Sequence, residues 1–444
     1  MSDLFPFPEL LRRVGVFALV FALGPVAGLP GTGPGQQANA GEGRPAVAKL
    51  LTPKGTLVAR AKPGADWKLV DQGQPLYAGD LLMGPGAQLE TRNGAVRLAF
   101  LGDPFRLSPH PVIESAVVLH ANPKADLDFT LDRGRVDLTN AKARGAAKVV
   151  LHVRDQTWEF TLDQPGTAVA LQLFGRWPAG TKFTKHPGPK DVPTADLVGL
   201  VLKGEVIVGH GDHERLLTAP PGPAQVHWNS VTGPGRAPEH LDRLPDWAQP
   251  ESAEKISPEE RAKLQARRQR FRNLLVTKSL GAALDEFLSS KDPDDRRMAV
   301  FAMAAVDDLK RLGQAYITTK QPDVLDDCVL ALRHWLGRGP GQDLKLYNVL
   351  VKEAKVPEAE AETIVQLLHS FSAADLAEPE TYETLVDYLG HDRLAIRALA
   401  YWHLSRLLPA GRQFGYDPLA PEAARDKAVA KWQTLIPKKK GKKP

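Results

Sequence analysis

Partway along this 444-residue chain the spacing of apolar residues changes from two to three or four, and no other feature restricts the fold as much. A stretch that buries every second residue suits a half-buried strand, whereas one that buries every third or fourth suits a helix. The chain is therefore expected to hold an all-β body followed by an all-α body, which agrees with the two or three units its length implies.

The front body is expected over residues 49–218. TLVAR (56–60), AVRLAF (95–100), SAVVLH (115–120), LDFTL (127–131), KVVLHVR (148–154), TWEFTL (157–162), AVALQLF (168–174) and EVIVG (205–209) read as strands. Arg92-Asn93-Gly94 and Asp132-Arg133-Gly134 read as turns between strands. Many short strands without helices between them imply an all-β sandwich or roll. Residues 219–257 are dense in Pro and Gly and read as an extended linker, with Trp228 and Trp247 as anchoring rings.

Helical spacing takes over in residues 258–437. Ser257-Pro258-Glu259-Glu260 carries a cap, a first-turn proline and an acid three residues after the cap. Apolar faces follow at Met298, Phe301, Ala305, Leu309 and Leu312, at Leu325, Cys328, Leu332 and Trp335, at Ile364, Leu368 and Phe371, and at Ile396, Leu399, His403 and Leu407. Asp292, Arg297 and Phe301 share their spacing with Asp392, Arg397 and Tyr401, which points to an internal repeat.

At the N-terminus, Arg12-Arg13 precedes the apolar run 14–23, whose character continues to Leu29, and Ala38-Asn39-Ala40 offers a small-residue cleavage site. Residues 1–40 are expected to be an export signal, cleaved or retained as a membrane anchor through residues 14–29. The formal charge of +5 resides in the tail 438–444, whose five lysines account for all of it. No basic field covers the body, so no nucleic-acid partner is expected.

The composition, 43% hydrophobic and 25% charged, is that of a folded globular protein. Its single cysteine, Cys328, excludes an intramolecular disulfide and a paired-cysteine metal clip.

Motifs for zinc proteolysis, phosphate cradling, serine hydrolysis and dinucleotide binding are missing. His210-Gly211-Asp212-His213 has metal-ligand residue types but reads as a polar turn, and Asp292, Asp294 and Asp295 read as helix-capping acids. His334, His369 and His403 read as histidines at the helical core or its boundary, and RRQRFRNLL (267–275) as a solvated helix face. Catalytic, cofactor-binding and metal-binding residues are accordingly all expected to be none, and no cofactor is implied.

Gly73, Leu76, Gly79-Asp80, Leu81, Leu89, Asn93-Gly94 and Val96, followed by FTLDRGRVDL (129–138), resemble the FecR-type periplasmic domain over residues 50–175. Residues 258–436 resemble HEAT-like repeats, in which an inner-helix arginine links neighbouring repeats. Met83-Gly84 and the interruption at Gly102-Asp103-Pro104 depart from the FecR pattern.

The resemblance implies an exported component of the cell envelope or periplasm that binds or scaffolds without catalysing a reaction, with a protein or cell-wall ligand as partner. One alternative is a membrane-anchored signalling regulator resembling FecR transducers, although only 13 residues precede the apolar run. The other is an envelope hydrolase.

Overall fold

The computed structural model describes residues 43–437, apart from Pro63, Pro85, residues 103–111, Arg236 and residues 250–256. The export signal and the basic tail lie outside the described residues. The chain is sheet-rich at the front and helical at the back. It groups into two units, one of residues up to Leu173 with 197–228 and 234–279, the other of residues 174–196, 229–233 and from Leu280 onward.

In chain order the strands are β1 (Ala46–Leu50), β2 (Val58–Arg60), β3 (Lys68–Leu69), β4 (Pro75–Tyr77), β5 (Leu81–Met83), β6 (Gln88–Thr91), β7 (Val96–Leu101), β8 (Ala116–His120) and β9 (Leu127–Asn140). They continue as β10 (Ala147–Val153), β11 (Gln156–Leu162), β12 (Ala168–Arg176), β13 (Thr194–Lys203), β14 (Glu205–His210), β15 (His213–Thr218), β16 (Gly222–Asn229), β17 (Gly233–Pro234) and β18 (Glu239–Leu241). One ladder runs β3-β2-β5-β8-β9-β10-β11-β14-β15, antiparallel except at β9–β10. A second joins β4 and β6 to β1, and β6 through β7 and β9 to β12.

Strand β9 serves both ladders. Its first half pairs with β8 and β10, its second with β7 and β12. Fourteen residues in a straight strand would span roughly 46 Å at about 3.3 Å each. Yet Lys142 Nζ, just beyond its end, lies 2.7 Å from Asp126 Oδ2, just before its start. The strand therefore folds back on itself, and the bend falls at Gly134, with φ +84° and a register shift between Ala116 and Val117 of the opposite strand. Asp132-Arg133-Gly134 is thus a bend inside one strand, which corrects its reading as an interstrand turn. A local Asp-x-Gly signal cannot distinguish the two, because both need the same backbone freedom.

The expected linker also needs correction. Its first third forms β16, an eight-residue strand whose Ala224, Val226 and Trp228 are buried. Ala170, Leu200, Ala224 and Ala248 form a core cluster against which Trp247 packs, and the Arg135 guanidinium sits 4.8 Å over the Trp247 ring while donating to its carbonyl. Alternation in GPAQVHWN is clear, but prolines on both sides mask it.

The helices are α1 (Pro258–Thr277), α2 (Leu280–Leu288), α3 (Pro293–Ala305), α4 (Leu309–Thr318), α5 (Pro322–Leu336), α6 (Gln342–Lys352), α7 (Glu358–His369), α8 (Pro379–Leu389), α9 (Leu394–Leu407) and α10 (Glu422–Gln433). Ser257 and Glu260 form the reciprocal cap that starts α1. This helix groups with the first unit, burying Leu264 and Phe271, so the helical body proper begins at α2.

Leu325, Cys328, Leu332 and Trp335 are buried as their spacing requires. Of the face expected at Met298, Phe301, Ala305, Leu309 and Leu312, the last three are buried, but Met298 and Phe301 are half-buried and α3 buries Ala299, Val300, Met303 and Ala304 beside Ala305. The small residues let neighbouring helices approach closely, and the bulkier pair is displaced toward the rim.

One arginine contact recurs along the helices, and in α3 it falls one residue before the Arg297 that the spacing points to. Arg296, Arg397 and Arg425 each occupy the fourth position of a helix, and each turns back to the carbonyls just before that helix. Arg296 donates to Ser290 and Lys291, Arg397 to His391 and Asp392, and Arg425 to Ala420. A cation near a helix N-terminus opposes the helix dipole, and these carbonyl contacts offset that cost. Arg296, not Arg297, is therefore the counterpart of Arg397.

Tyr316 of α4, fully buried, donates to the Ala395 carbonyl of α9 at 2.7 Å. Tyr316→Phe is expected to destabilise the helical unit by about 1 kcal/mol, read as a lowered urea midpoint with unchanged slope.

Candidate functional site

The sheet register assembles one polar cluster in the first unit. His120 lies opposite Asp128 across β8–β9, His152 opposite Thr130 across the parallel β9–β10 pair, and Thr157 opposite His152 across β10–β11. Period-two alternation places these side chains on one face, while Leu119, Phe129, Leu151 and Trp158 bury on the other.

His152 Nε2 is 2.9 Å from Asp128 Oδ1 and its Nδ1 is 3.2 Å from Thr157 Oγ1. His120 Nε2 is 2.7 Å from Thr130 Oγ1, and Asn122 donates to Asp128 Oδ2 at 2.7 Å. The two imidazoles meet edge to face at 5.4 Å. Burial lowers the pKa of His120, with Asp128 pulling it up and His152 pushing it down. Along the same face β14 and β15 present the cross-strand pair Ile207 and Leu216, 39% and 54% exposed.

A patch of imidazole, carboxylate, amide and hydroxyl groups can hydrogen-bond a polar ligand, with the apolar pair further along the same sheet face, opposite Thr161. The sequence marks both histidines as outward alternates of strands. Their meeting depends on the parallel β9–β10 pairing, which no local pattern encodes.

The candidates named from the sequence are placed elsewhere. His210 and His213 face each other across the β14–β15 turn; the His210 ring stacks on Trp158 at 4.0 Å, and its Nε2 lies 3.0 Å from Gln156 Oε1. Among the described residues no group of three or more His, Cys, Asp or Glu is placed to hold a metal ion. Asp292 accepts from the Asp294 amide, Asp294 pairs with Arg297, and buried Asp295 accepts from Ser290, which makes this a capping cluster.

His403 is buried, with Nε2 2.7 Å from the Leu367 carbonyl, and burial brings its pKa down to about 3. His369 is 2% exposed under the stacked Trp177 ring, and burial brings its pKa down to about 4. Both are neutral at pH 7. Burial pushes the Cys328 thiol far up, so it is not a thiolate.

In α1, burial lowers Arg268 to about 9, reinforced by Arg272, whose stem packs at Gly55. These two arginines therefore serve packing as well as solvation. Among the described residues no helix is long and apolar enough to cross a membrane.

Comparison with protein-family models, with curated proteins and with solved structures finds no match for this chain.

Proposed function

We propose that this chain is an exported FecR-like protein that acts in the bacterial envelope or periplasm by binding or scaffolding, through an all-β sandwich or roll and a HEAT-like helical stack. The observation that carries the reading is the behaviour of the ordered residue set in the front body. Gly73, Gly79 and Gly94 all take positive φ, while Leu76, Leu89 and Val96, which each follow one of them, are buried. Asp80 fixes its turn by accepting from Arg44 and the Tyr77 amide, and the Gly79 amide reaches Leu119 in β8. The resemblance rests on those positions, and each performs the structural task that would keep it in such a pattern. The returning arginines of α3, α9 and α10 support the helical-repeat half in the same way.

Fractionation and sequencing of the mature N-terminus are expected to recover the protein outside the cytoplasm, with cleavage near Ala40 or retention through residues 14–29. In-cell crosslinking is expected to capture an envelope protein or wall fragment. Recovery in the cytoplasm without either adduct overturns the proposal.

One observation favours the hydrolase alternative. Thr157, His152 and Asp128 stand in the order hydroxyl, imidazole, carboxylate. Thr157 is exposed on an open sheet face, where water competes for any acyl group. Binding is therefore the better reading of the same groups. Turnover of wall fragments by purified protein, lost in His152→Ala, would replace binding with catalysis.

A further inference from the structure

Within the second unit, residues 177–185, Trp-Pro-Ala-Gly-Thr-Lys-Phe-Thr-Lys, lie along α6, α7 and the connection to α8. The contacts are those by which a helical surface reads an extended chain. Gln366 of α7 uses both ends of its amide: Oε1 accepts from the Phe183 N–H at 2.8 Å, and Nε2 donates to the Thr181 carbonyl at 3.1 Å. These two backbone groups flank Lys182 on one side of the chain, so this contact is indifferent to sequence.

Sequence is read by the neighbouring contacts. Lys185 Nζ lies 2.9 Å from Glu358, 2.6 Å from Glu362 and 5.1 Å over the Tyr347 ring. Phe183 sits 5.5 Å from Tyr347 and 6.4 Å from His369, and Trp177 stacks on His369 at 4.7 Å. Gly180, with φ +82°, passes so close to Ser372 that a Cβ would come within 2.5 Å.

The two sides of this contact differ in burial. None of residues 175–192 is buried, whereas Leu367, Leu368 and His369 beneath them are no more than 3% exposed. The segment thus lies over the helices as an outer layer, and its Trp177 and Phe183 rings are part of what covers His369. Its ion pairs are of the exposed kind and add little, so the cover is held mainly by the Gln366 amide and the aromatic contacts.

We infer that the α6–α7 face is a recognition surface for extended peptides with an aromatic residue two positions before a lysine, occupied here by residues 177–185 and available to a partner protein's segment of the same chemistry when they lift. This rests on the proposed binding role and names its surface and its partner.

The test uses the full chain with residues 178–190 replaced by a short Gly-Ser linker, and a labelled peptide of residues 176–187 as probe. The shortened chain is expected to bind the peptide with a Kd on the order of 10 µM, at least about tenfold more tightly than the unaltered chain. Glu358→Gln with Glu362→Gln, or Gln366→Ala, is expected to weaken that binding by about tenfold, and Phe183→Ala in the peptide should do the same. A shortened chain with unchanged helicity that does not bind at millimolar peptide overturns the inference, as does binding indifferent to those substitutions.

If the shortened chain fails to fold, Lys185→Glu in the unaltered chain serves instead. Faster hydrogen exchange over 177–185 together with gained peptide binding supports the surface, and neither change refutes it. Envelope crosslinks that persist while peptide binding fails would remove this surface and leave the proposed function standing.

Discussion

Gly134→Ala is expected to destabilise the β-rich unit by about 3 kcal/mol, the largest effect of any single methyl group added to it. Two costs combine at this position. The backbone there has φ +84°, which an L side chain adopts only under strain. A Cβ would also stand 2.1 Å from the Glu114 carbonyl and 2.5 Å from Ser115 Cα, and neither backbone atom can swing aside as a side chain can.

The strand cannot relax by straightening, because the turn-back of β9 brings Lys142 to Asp126 and Asn140 to the Leu162 carbonyl. Gly94→Ala separates the two costs. It shares a positive φ of 70° but has no atom within 4 Å of the added methyl, so only about 1 kcal/mol is expected. Thermal unfolding followed by near-UV dichroism checks both, with a shift of roughly 6–12 °C for Gly134→Ala and roughly 2–4 °C for Gly94→Ala. Equal shifts would mean that the close approach at Gly134 contributes nothing.

Much of the architecture can be read from local patterns, since every strand expected from alternation has its counterpart in the sheets. The apolar face of α5 and the Ser257 cap also match expectation, because side-chain spacing and capping act over one or two turns. Longer-range features were hidden. Asp132-Arg133-Gly134 looks the same in a turn and in a bent strand, and the difference lies in what Ala116 and Val117 do on the neighbouring strand.

Residues 177–185 have neither alternation nor helical spacing because their contacts are with α6 and α7, more than 150 positions away, and a chain read in a window shows two isolated aromatic residues among Pro, Gly, Thr and Lys. The His120, Asp128 and His152 cluster was hidden for the same reason. Each residue is an ordinary outward alternate until a parallel pairing aligns β9 with β10. The common spacing of Asp292, Arg297 and Phe301 with Asp392, Arg397 and Tyr401 points one residue too far, because the arginine contact is set by distance from the helix start.

That error leaves Arg297 with a different task, and its removal should have the largest effect in the helical unit. Arg297 Nε sits 3.1 Å from both oxygens of Asp327, a residue 3% exposed in the middle of α5. Burial pushes the Asp327 carboxyl up to about 6, against the pull of Arg297 and with help from Asp326 and Asp323. Because the folded-state pKa is higher than the ordinary value, folding favours the protonated acid. Its contribution to stability is therefore greatest below about pH 4 and falls as pH rises through about 6. Arg297→Met leaves the carboxylate buried without this partner, and is expected to cost about 2 kcal/mol at pH 7.5, the point beyond which the acid stays protonated instead.

At pH 5 the penalty should shrink by more than half, because the unpaired acid takes up a proton in place of its lost cation. Asp327→Asn should flatten the pH dependence in that window, and Arg297→Met with Asp327→Leu should recover most of the lost stability, since two packed apolar side chains need no pairing. Urea titrations of the full chain followed at 222 nm, at pH 5 and pH 7.5, distinguish these outcomes. A penalty for Arg297→Met that is the same at both pH values would show that the arginine acts through its stem packing, and that Asp327 is not held by its charge.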